Sequence, residues 1–80
     1  MFKIEVVITE PPWDETIDVW LYHLDTVERV KQIINNVRTI PEDVQRVFLP
    51  GRGILDNEFR VGRLYTSPET PPRLFLDFED

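Results

Sequence analysis

Residues able to do chemistry are few and scattered along this chain. His23 is the only histidine, and Asp25 lies close by. A general base needs a poised imidazole and a substrate pocket, and the pair reads instead as an ordinary surface or turn histidine beside an acid. Ser67 is the only serine, with no paired base or oxyanion donors in sight. Asp14-Glu15 and Glu42-Asp43 are adjacent carboxylates. Catalytic pairs are assembled from separated segments, whereas sequence neighbours in a loop face water. Gly51-Arg52-Gly53 offers two glycines but neither the full pattern nor the following helix of a phosphate-binding loop, and it reads as a turn. There is no cysteine and no metal-ligand spacing, so disulfides, thiol catalysis and thiolate zinc sites are excluded. The expectation is no catalytic residue, no cofactor and no metal.

The elements that would position these residues centre on Asp25 to Gly51. Asp25 or Thr26 can cap a helix, with Glu28 at the spacing of a reciprocal capping box from Asp25. Val27, Val30, Ile33, Ile34 and Val37 form one apolar stripe at helical spacing. Asn35-Asn36 weaken that helix, and Pro41 forbids its continuation. Arg46 to Leu49 then alternates as a strand and stops at Pro50-Gly51, with Val47 and Leu49 inward and Arg46 and Phe48 outward.

A one-striped helix needs a sheet to cover it, and the flanks supply one. Phe2 to Ile8 alternates, with Phe2, Ile4, Val6 and Ile8 on one face and Lys3, Glu5 and Val7 on the other. Thr16 to Leu24 reads as a second strand across a Pro11-Pro12 loop that carries Trp13. Its Ile17, Val19 and Leu21 point inward, which leaves Trp20 and Tyr22 outside. Ile54-Leu55 gives a brief strand. Asp56 to Tyr65 is a loop with room for one helical turn, anchored by Phe59, Val61 and Leu64, and Thr66 to Pro72 is an extended connection. Leu74 to Phe78 alternates again, with Phe75 and Asp77 outward. The order is ββαβ(β)β in a single domain over residues 1–80.

The net charge of −6 is unevenly spread: residues 1–25 carry one lysine against six acids, whereas residues 26–73 carry eight basic residues against six acids. Six of those eight are arginines from Arg38 onward, so a local basic face coexists with an acidic total. That total argues against nucleic acid as the main partner. No stretch is long and apolar enough to span a bilayer, and the N-terminus lacks a secretory pattern, so the expected setting is cytosolic or nuclear, without a membrane partner.

With Thr26-Val27, Val30-Lys31, Ile33, Ile40-Pro41-Glu42-Asp43 and Gln45-Arg46 in place, the chain resembles the ubiquitin-like (β-grasp) family. Leu55-Asp56, Val61-Gly62, Tyr65-Thr66-Ser67, Thr70 and Pro71-Pro72 resemble the late segment of its elongin B branch. The resemblance implies an α+β fold: a mixed four- to five-stranded sheet packed on one helix, the first and last strands central neighbours. It also implies a non-catalytic adaptor whose partner is elongin C-like, within a cullin-type ubiquitin ligase. The alternatives are a ubiquitin-like domain of a larger protein, docking on ubiquitin receptors or the proteasome, and a structural subunit of a large assembly. Conjugated members end in Gly-Gly. This chain has no glycine after Gly62, so conjugation to substrates is not expected, and only Lys3 and Lys31 are lysines.

If that sheet order holds, one open face carries Val7, Trp20, Tyr22, Arg46, Phe48 and Phe75. Phe48 sits where the family carries its main recognition patch. Trp, Tyr and Arg are enriched in interface hot spots, and several aromatics on one face point to docking of a protein partner. The alternative is that Trp13 or the Pro11-Pro12 loop folds over these rings.

Overall fold

In a computed structural model, which describes residues 1–79, strand β1 (Phe2–Ile8) pairs antiparallel with β2 (Glu15–Leu21), from Phe2 opposite Leu21 to Ile8 opposite Glu15. The helix α1 (Val27–Arg38) follows, then β3 (Gln45–Leu49), β4 (Gly53–Ile54) and β5 (Arg73–Phe78). The sheet order is β2-β1-β5-β3-β4, with β5 parallel to β1 and antiparallel to β3. One helix packed on a mixed five-stranded sheet with its first and last strands paired at the centre is the ubiquitin-like β-grasp fold.

The alternation in β1 is fully realised: Phe2, Ile4, Val6 and Ile8 are buried and the residues between them are half-exposed. They meet Val27, Val30 and Ile34 of α1, together with Val47, Leu74 and Leu76, in one core cluster. Ile33 packs against the edge of this cluster, whereas Val37 is 47% exposed, so the helical stripe leaves the core at its last turn. Trp13 packs against the same cluster.

The start of the helix is held differently from the capping-box expectation. Thr26 is the N-cap, and its side chain makes no capping hydrogen bond. The Asp25 carboxylate is turned away to accept the Tyr22 N–H at 2.8 Å. The free N–H groups of Val27 and Glu28 instead donate to the carbonyls of Phe59 (3.0 Å) and Asn57 (3.1 Å). A distant loop therefore caps α1, which spacing along the helix alone cannot reveal.

The same Asp25 contact shortens β2. The strand ends at Leu21, not Leu24, because Asp25 draws residues 22–25 into a turn with both its N–H (to the Tyr22 carbonyl, 3.0 Å) and its carboxylate. At the other end of α1, Thr39 takes the left-handed conformation and donates to Asn35. Gln45 is buried, and its amide donates to the carbonyls of Ile40 (2.8 Å) and Lys31 (3.0 Å), tying β3 to the helix. The brief fourth strand is Gly53–Ile54, one residue earlier than the sequence suggests, and Leu55 is buried just beyond it.

Candidate functional site

The outer sheet face is built by strand register. Val7 lies opposite Phe75, Phe75 opposite Phe48, and Phe48 opposite Ile54. Four apolar side chains thus form one row across β1, β5, β3 and β4, roughly 14 Å long at about 4.8 Å per strand step. The Phe48 and Phe75 rings stack with centroids 5.9 Å apart and planes at 28°. Ile54, at the end of the row, is 67% exposed.

Ion pairs bound this row on both sides. Two residues along β5 in one direction, Asp77 accepts from Arg46 Nε at 2.8 Å, and Glu79 accepts from the same guanidinium at 3.0 Å. The Asp77 hydrogen bond is the main cause holding Arg46 above its ordinary pKa; desolvation opposes it, and the charges of Asp77 and Glu79 add to it. Two residues in the other direction, Arg73 bonds Glu5 at 3.0 Å. Farther along β1, Lys3 lies 3.9 Å from Asp18. The row is thus an apolar centre with a charged rim.

The six residues expected on this face therefore separate. Val7, Phe48 and Phe75 come together. Arg46 belongs to the rim, already neutralised by Asp77 and Glu79. Trp20 sits across from Lys3, on the far side of the Glu5–Arg73 pair, and Tyr22 lies beyond the end of β2. Both remain exposed, at 58% and 60%. Trp20 borders a groove of about 370 Å³ with Met1, Phe2, Tyr65, Pro68 and Pro71. Ile54 was not among the expected residues. Its signal was the Pro50-to-Gly53 turn, in which Arg52 N–H donates to the Leu49 carbonyl and Gly51 and Gly53 both take positive φ. Counting back from that turn places Ile54 against Phe48.

His23, Ser67 and Glu15, considered above for chemistry, have partners within the fold. The His23 ring is 4.8 Å from Phe2 and 5.0 Å from Tyr65, in a three-ring cluster. Ser67 Oγ lies 2.6 Å from Thr70 Oγ1 across a tight turn. Glu15 accepts from Arg38 Nε at 2.9 Å, and Glu42-Asp43 open a 3₁₀ turn before β3.

The sequence matches no protein-family model and no curated protein.

Proposed function

We infer that this chain is a non-catalytic, ubiquitin-like protein-binding module, an elongin B-like adaptor that docks a partner protein through the row Val7–Phe75–Phe48–Ile54. The observation that carries this reading is the row itself: contiguous apolar side chains on the sheet face opposite the helix, half-buried at Val7, Phe75 and Phe48, exposed at Ile54, and rimmed by ion pairs. Exposed apolar patches that survive on a small domain mark interaction sites. The ring contacts of His23 with Phe2 and Tyr65, and the Ser67 hydroxyl bonded to Thr70, support the non-catalytic part, since neither residue has a paired base or acid beside it in these contacts.

By the family resemblance, the partner is an elongin C-like chain of a cullin-type ubiquitin ligase. The test mixes the purified chain with an elongin C homologue and follows co-elution and calorimetric heat. A stable complex lost in Phe48→Ala is the expected result. Binding to a ubiquitin receptor or proteasome subunit instead, with no elongin C complex, would make this a docking domain of a larger protein.

A further inference from the structure

The six arginines from Arg38 onward divide into two sets. Arg38, Arg46 and Arg73 are each ion-paired, to Glu15, to Asp77 with Glu79, and to Glu5. Arg52, Arg60 and Arg63 form no ion pair among the described residues, and all three are exposed. Two of these unpaired arginines converge on one ring: the guanidinium carbons of Arg52 and Arg63 lie 5.1 Å and 5.4 Å from the centroid of Phe59. Arg60 follows Phe59 directly in the chain. Asp56 and Glu58, the acids of the same stretch, pair with none of the three.

Two cations held on one aromatic ring repel each other, and an anion bound close to both relieves that repulsion. Contact with the ring restricts where each guanidinium sits, and with no carboxylate among the described residues paired to it, its N–H donors are left for a bidentate acceptor, which a carboxylate provides. Phe59 is itself anchored, because it packs on the core and its carbonyl caps α1 through Val27. The arginines therefore sit on a rigid base.

We propose that Arg52 and Arg63, clamped on Phe59 and assisted by Arg60, form a docking site for an acidic segment of a partner protein, recognised through its aspartate and glutamate carboxylates. This goes beyond the docking reading above, since it uses none of the residues of the apolar row. Charge complementarity selects the class of partner. The chain as a whole is −6, so an extended polyanion such as duplex DNA or an anionic membrane meets repulsion from the remaining surface. A short acidic segment can engage the three local arginines while staying off most of the remaining acidic surface, because fields are screened over about 8 Å at physiological ionic strength.

The probe is a fluorescein-labelled synthetic peptide with a central run of Asp and Glu between glycines, titrated into the full chain. Anisotropy reports affinity, and amide chemical shifts report location. Binding is expected, with shifts at Arg52, Phe59, Arg63 and their neighbours. Arg52→Gln combined with Arg63→Gln should weaken it about tenfold or more. Phe48→Ala should leave it unchanged, which separates this site from the apolar row. Lack of binding, shifts confined to other surfaces, or full affinity in the double variant would overturn the proposal. So would tighter binding of a short DNA duplex or a phosphatidylserine vesicle at the same residues, or self-association of the chain through them. The shift map on the unaltered protein keeps the test decisive even if the double variant folds poorly.

Discussion

Phe48 and Phe75 face each other across antiparallel neighbours β3 and β5, their rings stacked at 5.9 Å on the side of the sheet away from the helix. Each is half-buried, whereas Val47 and Leu76, the adjacent residues in the same two strands, are fully buried on the other side. A cross-strand aromatic pair contributes about 0.5–1.5 kcal/mol beyond its buried area. Phe48→Ala should therefore cost roughly 1–2 kcal/mol, since part of the ring's area is also exposed. Leu76→Ala, which leaves a cavity, should cost about 2–5 kcal/mol. Urea unfolding of the two variants checks the contrast. Equal losses would place Phe48 in the core and remove it from any docking surface.

Gly62 is a second point where one atom decides the fold. It sits in the 3₁₀ turn Val61–Leu64, its N–H donating to the His23 carbonyl at 3.2 Å. A β-carbon there would press on the His23 carbonyl oxygen and lie only 2.9 Å from its Cα. The obstacle is backbone, so no rotamer change relieves it. Gly62→Ala should destabilise by about 1–3 kcal/mol, as overpacking does. In a domain of this size each kcal/mol lowers the Tm by about 4–8 °C. An unchanged melting temperature would show that the segment over residues 22–25 moves freely away from the turn.

Gln45 gives a test with a pH signature. Its amide nitrogen donates to two carbonyls, and its buried Oε1 has no hydrogen-bond partner among the described residues. Gln45→Leu therefore removes one unsatisfied acceptor while stranding the Ile40 carbonyl, and the net cost should be about 1 kcal/mol. Gln45→Glu keeps the shape but sets a carboxyl against both carbonyls in a buried site. Burial and these acceptors favour its protonated form, so its folded pKa rises above the unfolded carboxyl value of about 4.3. The variant should be near normal stability below that value. It should lose stability as pH rises toward the folded pKa, then stay low. A pH-independent loss would mean that water reaches the site.

The parts of the fold legible in the sequence are those written in local periodicity. The period-two alternation of Phe2 to Ile8 and the Val27–Val30–Ile34 stripe name their own buried faces, and the core uses them as read. Contacts between distant segments carry no such signal. Asp25 has the type and spacing of a capping residue, yet its carboxylate serves Tyr22, because the carbonyls of Asn57 and Phe59 already occupy the helix N-terminus. The candidate face was legible strand by strand but not across strands. Outward direction placed Trp20 and Phe48 on the same side, and only the register shows the Glu5–Arg73 pair standing between Trp20 and the row. Arg46 likewise reads as a free hot-spot residue until β5 brings Asp77 beside it.

That separation makes the last prediction the most discriminating. If the apolar row is the docking surface, its most accessible member can be altered without harm to the fold. Ile54 is 67% exposed on the two-residue edge strand, so Ile54→Glu should change stability by less than about 0.5 kcal/mol. Its charge would nonetheless be desolvated under a bound partner, beside the Phe48 ring, while the nearby Arg46 guanidinium is already engaged by Asp77 and Glu79. Burying a charge without a dedicated partner under an interface costs about 2 kcal/mol and more, so partner affinity should fall at least thirtyfold. Trp20→Ala lies beyond the Glu5–Arg73 pair and should leave that affinity within about twofold, because non-contacting substitutions act independently. Calorimetric titration of the two variants side by side decides which half of the sheet face the partner covers. The reverse pattern, a loss with Trp20→Ala and none with Ile54→Glu, would move the docking surface to the groove between Trp20 and Pro71 and reassign the stacked phenylalanines to holding β3 against β5.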